Sequence, residues 1–293
     1  MNKFDLTKKI ENFAPLDTQE KWDCSGWLVC TTKKDINKVM LALTITDDIY
    51  EQAKQQNCDM IISHHPLFCV PIKYADIDMY CAHTNMDKAH GGTTDTIIQT
   101  LGYNAIKSDK DDFVRLVKLE KPITIENLKE KLQKISPNLR YINNTHKTNI
   151  LTIGFCAGSG SEFIEDYDVD AFVTGDLKFH TALDSKNIVF DIGHFESEIL
   201  ILEVFKEILG IDVTFAKENS PYVYFDAEFI DKDKNEIFIH CTGQNYDNSS
   251  LCRLTLADVS KSQELQEKLR NKAKEMNYLI DRSGAIRCRN HLR

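Results

Sequence analysis

An α/β fold is predicted, with two βαβ-rich lobes over residues 1–225 and a small α+β C-terminal extension over 226–293. Three observations carry this. Short apolar runs of strand length alternate with runs of helical period through the first 225 residues. Glycines and prolines punctuate the joints between them. The 293-residue chain is 42% hydrophobic and 28% charged, enough for a sizeable core and too balanced for disorder, collagen or coiled coil.

The elements follow in order. Val39-Met40-Leu41-Ala42-Leu43-Thr44-Ile45 reads as a buried strand, and Thr46 or Asp47 can cap a helix over 48–56. Met60-Ile61-Ile62 is the next strand and runs straight into Ser63-His64-His65-Pro66. Pro66 cannot continue a central strand and disfavours helix at His65, so both histidines fall at a strand's carboxyl end. Open α/β sheets bind their ligands at that edge. A strand over 79–82 leads to His83-Thr84-Asn85-Met86-Asp87, and Gly91-Gly92 breaks the chain before a helix over 94–101 closed by Gly102. A strand, a helix over 125–135 and a turn at Pro137 come next.

The βα rhythm then returns. Residues 150–156 read as a strand, Gly158-Ser159-Gly160-Ser161 as a turn, and a short helix follows. Strands over 171–173 and 188–190 flank a helix near 180–185, and one strongly apolar helix spans 195–209 before Gly210. The extension reads as short strands over 228–230, 236–240 and 252–256, then a polar helix over 262–276.

Composition narrows the function. A net charge of −9 and a pI near 5.5 argue against a nucleic-acid-coating protein, while a small anionic substrate held at a metal or a helix N-terminus stays open. The nine cysteines include no C-x-x-C pair, which disfavours a thiolate zinc site and a thioredoxin-like motif. The first 16 residues lack the apolar core of a signal peptide, and no apolar run is long enough to span a bilayer. A reduced, cytoplasmic protein is the expectation. The basic residues Arg282, Arg287, Arg289 and Arg293 read first as a solvated or subunit-packing tail, the alternative being recruitment of RNA or another anionic partner.

Four segments offer metal-type ligands. On an extended strand His64 and His65 point to opposite sides, so one ion can hardly take both, whereas two neighbouring ions can each take one. As a bare dipeptide they are more often ordinary histidines beside a turn. His194 and Glu198 stand one helical turn apart and share a face; the competing reading is that Glu196 and Glu198 are first-turn acids favoured by the helix dipole. His83 with Asp87, and the stretch Thr174-Gly175-Asp176-Leu177-Lys178-Phe179-His180, fall at strand ends on the same sheet edge. Imidazoles mixed with carboxylates suit Zn, Mn, Fe or Co better than Ca or Mg. The Gly158-Ser159-Gly160-Ser161 turn could offer N–H groups to a phosphate, though such turns more often join strand to helix.

Five stretches carry a resemblance: Trp22-Asp23-Cys24-Ser25-Gly26-Trp27-Leu28-Val29, Ile61-Ile62-Ser63-His64-His65-Pro66-Leu67-Phe68, His83-Thr84-Asn85-Met86-Asp87, Thr174-Gly175-Asp176-Leu177-Lys178-Phe179-His180, and Asp191-Ile192-Gly193-His194 with Glu198. Together they resemble the GTP cyclohydrolase I type 2 family, the Nif-three-like dinuclear metal proteins. The resemblance implies two α/β lobes flanking a metal cleft, two divalent transition-metal ions per subunit and a toroidal homohexamer. It implies His65 and Asp87 on one ion, His64 and His194 on the other, and Glu198 bridging. His83, Asp176 and His180 would lie close by as supporting or proton-transfer groups. The implied activity is a metal-dependent hydrolase acting on GTP or another nucleotide or phosphate-containing small molecule. The alternative is a non-catalytic metal-binding or regulatory hexamer. The chain departs from the family pattern at Cys24-Ser25, in a short link from His65 to His83, and in its C-terminal extension.

Overall fold

In the computed structural model residues 1–220 are described in full; beyond them the backbone is described over 224–231, 236–242, 251–255, 278–280 and 286–288. The expected helix over 262–276 lies outside the described residues. The chain divides into two compact units, Met1–Glu218 and Asn219–Arg293.

The first unit opens with α1 (Lys3–Phe13), β1 (Gly26–Val29), β2 (Val39–Ala42), α2 (Asp47–Gln55), β3 (Met60–Ser63), β4 (Asp78–Cys81), α3 (Thr84–Lys88) and α4 (Thr93–Thr100). It continues with β5 (Ile106–Lys107), β6 (Arg115–Thr124), α5 (Ile125–Leu132), β7 (Arg140–Asn143), β8 (Asn149–Ser159), β9 (Ala171–Gly175), α6 (Phe179–Asp184), β10 (Ile188–Asp191), α7 (His194–Glu198), α8 (Ile201–Leu209) and β11 (Val213–Phe215).

Two sheets form. The first has the order β1-β4-β3-β2-β11, with β2, β3, β4 and β11 parallel and β1 antiparallel at the edge. The strands β2, β3 and β4 are buried on both faces, which is why they read as unbroken apolar runs. Val39, Leu41, Met60 and Ile62 pack against Leu6 and Ile10 of α1 and Phe205 and Leu209 of α8. On the other face Met40, Ile61 and Met79 pack against Ile49, Tyr50 and Ala53 of α2. Each fully buried aliphatic or Phe side chain contributes about 1.5–3 kcal/mol relative to exposure.

The second sheet has the order β5-β6-β8-β9-β10-β7. Its centre, β8-β9-β10, is parallel, and β6 and β7 run antiparallel on either side. Ile153, Phe155, Val173 and Phe190 face α4 and α5 through Ile97, Ile98, Leu128 and Leu132. So the two-lobed α/β reading is right.

Differences from the sequence reading have local causes. The helix expected over 195–209 is two helices. At Ile199 and Leu200 the hydrogen bonds tighten from four-residue to three-residue spacing, with Leu202 N–H on Ile199 O and Glu203 N–H on Leu200 O, both 3.3 Å. After that break α7 presents His194 and Glu198 to the site while α8 buries its apolar face. The short helix expected after Ser161 is a single 3₁₀ turn, Ile164–Asp166. The strand β11, three half-buried residues, is too short to show in the apolar pattern. It pairs with β2, so α8 and β11 return the chain to the first lobe.

The second unit is described by itself. It holds an antiparallel three-stranded sheet, β12 (Tyr224–Asp231), β13 (Glu236–Thr242) and β14 (Leu251–Thr255). A two-stranded antiparallel pair, β15 (Tyr278–Ile280) and β16 (Ile286–Cys288), completes it.

Candidate metal centre

Seven of the eight residues singled out from the sequence converge where the carboxyl ends of β3, β4, β9 and β10 meet. His64 and His65 leave β3 still paired beside the end of β2: His64 N–H donates to Ala42 O (3.2 Å) and His65 N–H to Leu43 O (2.8 Å). Their rings lie with centroids 5.1 Å apart at 44°, and both reach toward the same carboxylate, Glu198. His83 precedes α3, Asp87 lies on it, and α7 carries both His194 and Glu198.

Each imidazole is held by the same end. His64 Nδ1 lies 3.0 Å from Ala82 O, His65 Nδ1 2.6 Å from Thr44 Oγ1, His83 Nδ1 3.0 Å from Asp23 Oδ1, and His194 Nδ1 2.7 Å from Asp176 Oδ2. A carbonyl or a carboxylate can only accept, so in the neutral rings of His64, His83 and His194 the proton sits on Nδ1. The lone pair is then on Nε2. Such outward-facing partners fix the tautomer of metal-binding histidines.

The Nε2 atoms of His64, His65 and His194 gather around Glu198. Its Oε2 lies 2.7 Å from His65 Nε2 and 3.0 Å from His194 Nε2, and its Oε1 lies 3.9 Å from His64 Nε2. His64 Nε2 also stands 3.4 Å from Asp87 Oδ1. Three groups have ligand atoms within 4.8 Å of one another and could hold a metal ion: His64, Asp87 and Glu198; His65, His194 and Glu198; and His64, His65 and His83. This grouping differs from the pairing implied by resemblance. α3 delivers Asp87 to the His64 side, and α7 delivers His194 to the His65 side.

The donor set fits metal ions on two observations. His64 is fully buried, yet its Nε2 has no hydrogen-bond partner, an unusual cost unless something else occupies that lone pair. Gly158 sits at φ +61°, and a Cβ there would fall 2.1 Å from Glu198 Oε1. The backbone of β8 therefore comes close to this carboxylate only because residue 158 has no side chain.

The electrostatics agree. Burial lowers the His64 and His194 pKa values, but Asp87 and Glu198 around the first, and Glu198 and Asp176 around the second, outweigh it and push both up to about 9. Burial, with the neighbouring His64 and His194, lowers His65. Burial opposes ionisation of Glu198, yet the imidazoles of His194, His64 and His65 hold it well below the carboxylate range. Burial pushes Asp87 up despite His64.

Asp176 supports His194 from a left-handed backbone, φ +51°. Asp and Asn tolerate that conformation better than most residues. His180 is the exception among the predicted residues. It lies exposed on α6 against the Phe179 ring and does not line the cleft. The glycine-rich turn also does something other than cradle phosphate: Gly158 N–H donates to Ser197 Oγ and Gly160 N–H to Thr174 Oγ1, both at 2.9 Å.

Two functional residues escape sequence reasoning. Asp23 has a side chain closed off from solvent, where it accepts from Cys24 N–H, Thr84 N–H, Ser25 Oγ and His83. Burial resists its ionisation, but His83 and Thr84 hold its carboxyl far below the usual range. Thr44 orients His65, and its N–H in turn donates to Glu218 (3.2 Å). Ser25, a departure from the family pattern, accepts the His83 N–H at 3.0 Å.

Fold and site together define a two-lobed α/β protein with a buried cluster of imidazoles and carboxylates able to hold metal. A profile of the family described as Duf34/NIF3 (NGG1p interacting factor 3) matches residues 1–223, and the chain belongs to that family. A "GTP cyclohydrolase 1 type 2 homolog" of Clostridium perfringens is 32% identical over 246 residues, covering 72% of this chain and 94% of that one. The "NGG1-interacting factor 3" of Saccharomyces cerevisiae is 28% identical, covering 62% of this chain and 80% of that one. Among solved structures, a Thermus thermophilus protein overlays with a TM-score of 0.67 at 19% identity, covering 76% of this chain and 100% of its own. Reduced HcgD from Methanocaldococcus jannaschii gives 0.64 at 23% identity, covering 73% of this chain and 96% of its own. Those structures share the fold. Among the described residues no helix is long and apolar enough to cross a membrane.

Proposed function

We propose that the chain is a dinuclear metal-dependent hydrolase acting on a small nucleotide-like molecule. The observation that carries this is the inward turn of three Nε2 atoms onto the two oxygens of one buried carboxylate, Glu198. His64, Asp87 and Glu198 Oε1 would hold one divalent transition metal, and His65, His194 and Glu198 Oε2 the other. Such a pair supplies Lewis acidity and makes a bound water easier to deprotonate near neutral pH.

The chain's own residues do the rest. Glu198 and Asp87 place two negative charges among the ligands and so reduce repulsion between dications. Asp176 and Thr44 fix His194 and His65. His83, its Nδ1 held by Asp23, keeps Nε2 for a proton taken from water or delivered to a leaving group. Names printed for relatives, "GTP cyclohydrolase 1 type 2 homolog", agree with hydrolysis of a nucleotide.

Turnover should appear when a panel of nucleosides, nucleotides and phosphoesters is offered to Zn-, Mn-, Fe- or Co-loaded protein, and should vanish with chelator. Saturated metal sites without turnover on any of them would favour the non-catalytic metal-binding reading. A homohexamer belongs to this proposal. It is supported by α6, which buries no residue and exposes Phe179 and Leu183 on one side, and sizing by light scattering tests it.

A further inference from the structure

Beside the ligand cluster lies a cleft of about 570 Å³ within the first unit. Its walls are aromatic: Trp22 and His83 on one side, Phe113 and Phe163 on the other. Trp22 is 61% exposed, with neighbouring rings, among the described residues, at His83 (5.9 Å) and Phe68 (6.4 Å). Phe113 and Phe163 lie 5.8 Å apart at 32°. A large indole left open to water beside a buried polar cluster is a stacking surface with one face to spare.

Charge selects further. Among the described residues no Lys or Arg lines this cleft, whereas Glu162 and the Lys88-paired Glu20 do. The nearby ammonium of Lys88 is already engaged, 2.6 Å from Glu20 Oε1 and 3.1 Å from Thr18 O, above the Phe113 ring. A polyphosphate tail normally needs Arg, Lys or a helix N-terminus to receive it. Among the described lining residues only Thr94, in the first turn of α4, is of that kind, and it stands among the carboxylates of Glu20, Asp87, Glu162 and Glu198.

We propose that the cleft takes a planar nitrogen heterocycle of nucleoside size, stacked on Trp22, with no polyphosphate tail. This deepens the hydrolase reading by naming its substrate class, and excludes a nucleoside triphosphate from the position the relatives' printed name would suggest.

The test uses the full chain with guanosine and GTP as probes, read by equilibrium dialysis and by tryptophan fluorescence, with and without chelator. Trp22 and the more sheltered Trp27 are the chain's two tryptophans, so quenching is assignable. Guanosine should quench Trp22 and bind chelator-treated protein at least about tenfold more tightly than GTP. Trp22→Ala should weaken guanosine about tenfold or more, and Trp22→Phe should restore most of it. Glu162→Lys should move the GTP-to-guanosine affinity ratio about tenfold toward GTP. GTP binding as tightly as guanosine, or neither probe binding, would overturn the proposal. Metal content measured on the same samples reports separately on the hydrolase reading, because stacking does not require the ions.

Discussion

The two lobes build their halves of the site in opposite ways. The first lobe offers His64 and His65 from the end of a strand in the middle of a parallel sheet, where neighbouring backbone fixes both. His64 is sealed from solvent and tied to a main-chain carbonyl. The second lobe offers His194 and Glu198 from a five-residue helix, α7, propped by loop residues. The His194 side chain is 32% exposed, and its support, Asp176, holds an unfavourable backbone conformation. So the first lobe positions its ligands with the same burial that stabilises the sheet, while the second positions them with side chains and glycine turns. Changes at His64 in the first lobe should cost stability together with metal; changes at His194 and its support Asp176 in the second should cost metal alone.

Loss of Glu198 should have the largest effect, because it serves both lobes. Glu198→Ala should weaken both proposed ions by more than about 100-fold, since lost supporting contacts alone cost about 10–100-fold. Isothermal titration with Zn or Mn measures it. Gly158→Ala should come next. The new Cβ cannot coexist with Glu198 Oε1, and a left-handed alanine costs about 1–2 kcal/mol in addition. Metal affinity should fall at both positions, with a matching drop in thermal midpoint.

The supports separate the two proposed ion positions. Thr44→Val and Asp176→Gly should each weaken the ion shared by His65 and His194 by about 10–100-fold and spare the one at His64 and Asp87. Asp176→Gly should leave folding stability unchanged or raise it by up to about 1 kcal/mol, because glycine relieves the positive φ. His64→Ala, in contrast, should destabilise the metal-free fold measurably in urea.

The smallest expected effect is in pH. His64 and His194 have folded-state pKa values raised to about 9. In metal-free protein their ion pairs contribute stability that is fully present below the unfolded value, about 6.5, and is lost as pH rises through about 9. Metal must displace those protons, so affinity should climb between about pH 6.5 and 9. Free unperturbed histidines would give a plateau by about pH 7. Proton release on metal addition at pH 7, read in buffers of different ionisation enthalpy, checks this.

Much of this contrast was legible in the sequence, and what was hidden is of one kind. The placement of His64-His65 at a strand end followed from an apolar run meeting a proline, and the His194–Glu198 face followed from helical spacing. Both are local. The partners at Nδ1 were not legible, because Thr44, Asp23 and the Ala82 carbonyl reach their histidines across 21, 60 and 18 positions. Which ligands share a group depends on the same long-range geometry. His180 misled because its motif is contiguous with Asp176, while α6 turns outward after it. Gly158 looked like a turn glycine; its close approach to a carboxylate 40 positions later left no trace in the pattern. Asp23 had one signal, its place between two tryptophans in a short motif ahead of the first strand.

The most direct test is the number of ions per chain. Full-length protein saturated with Zn or Mn, passed through a desalting column and read by elemental analysis, should carry two ions per chain, falling below one in Glu198→Ala while His194→Ala keeps one. A wild-type value of one or less at saturation, with Glu198→Ala unchanged, would contradict a shared two-ion centre.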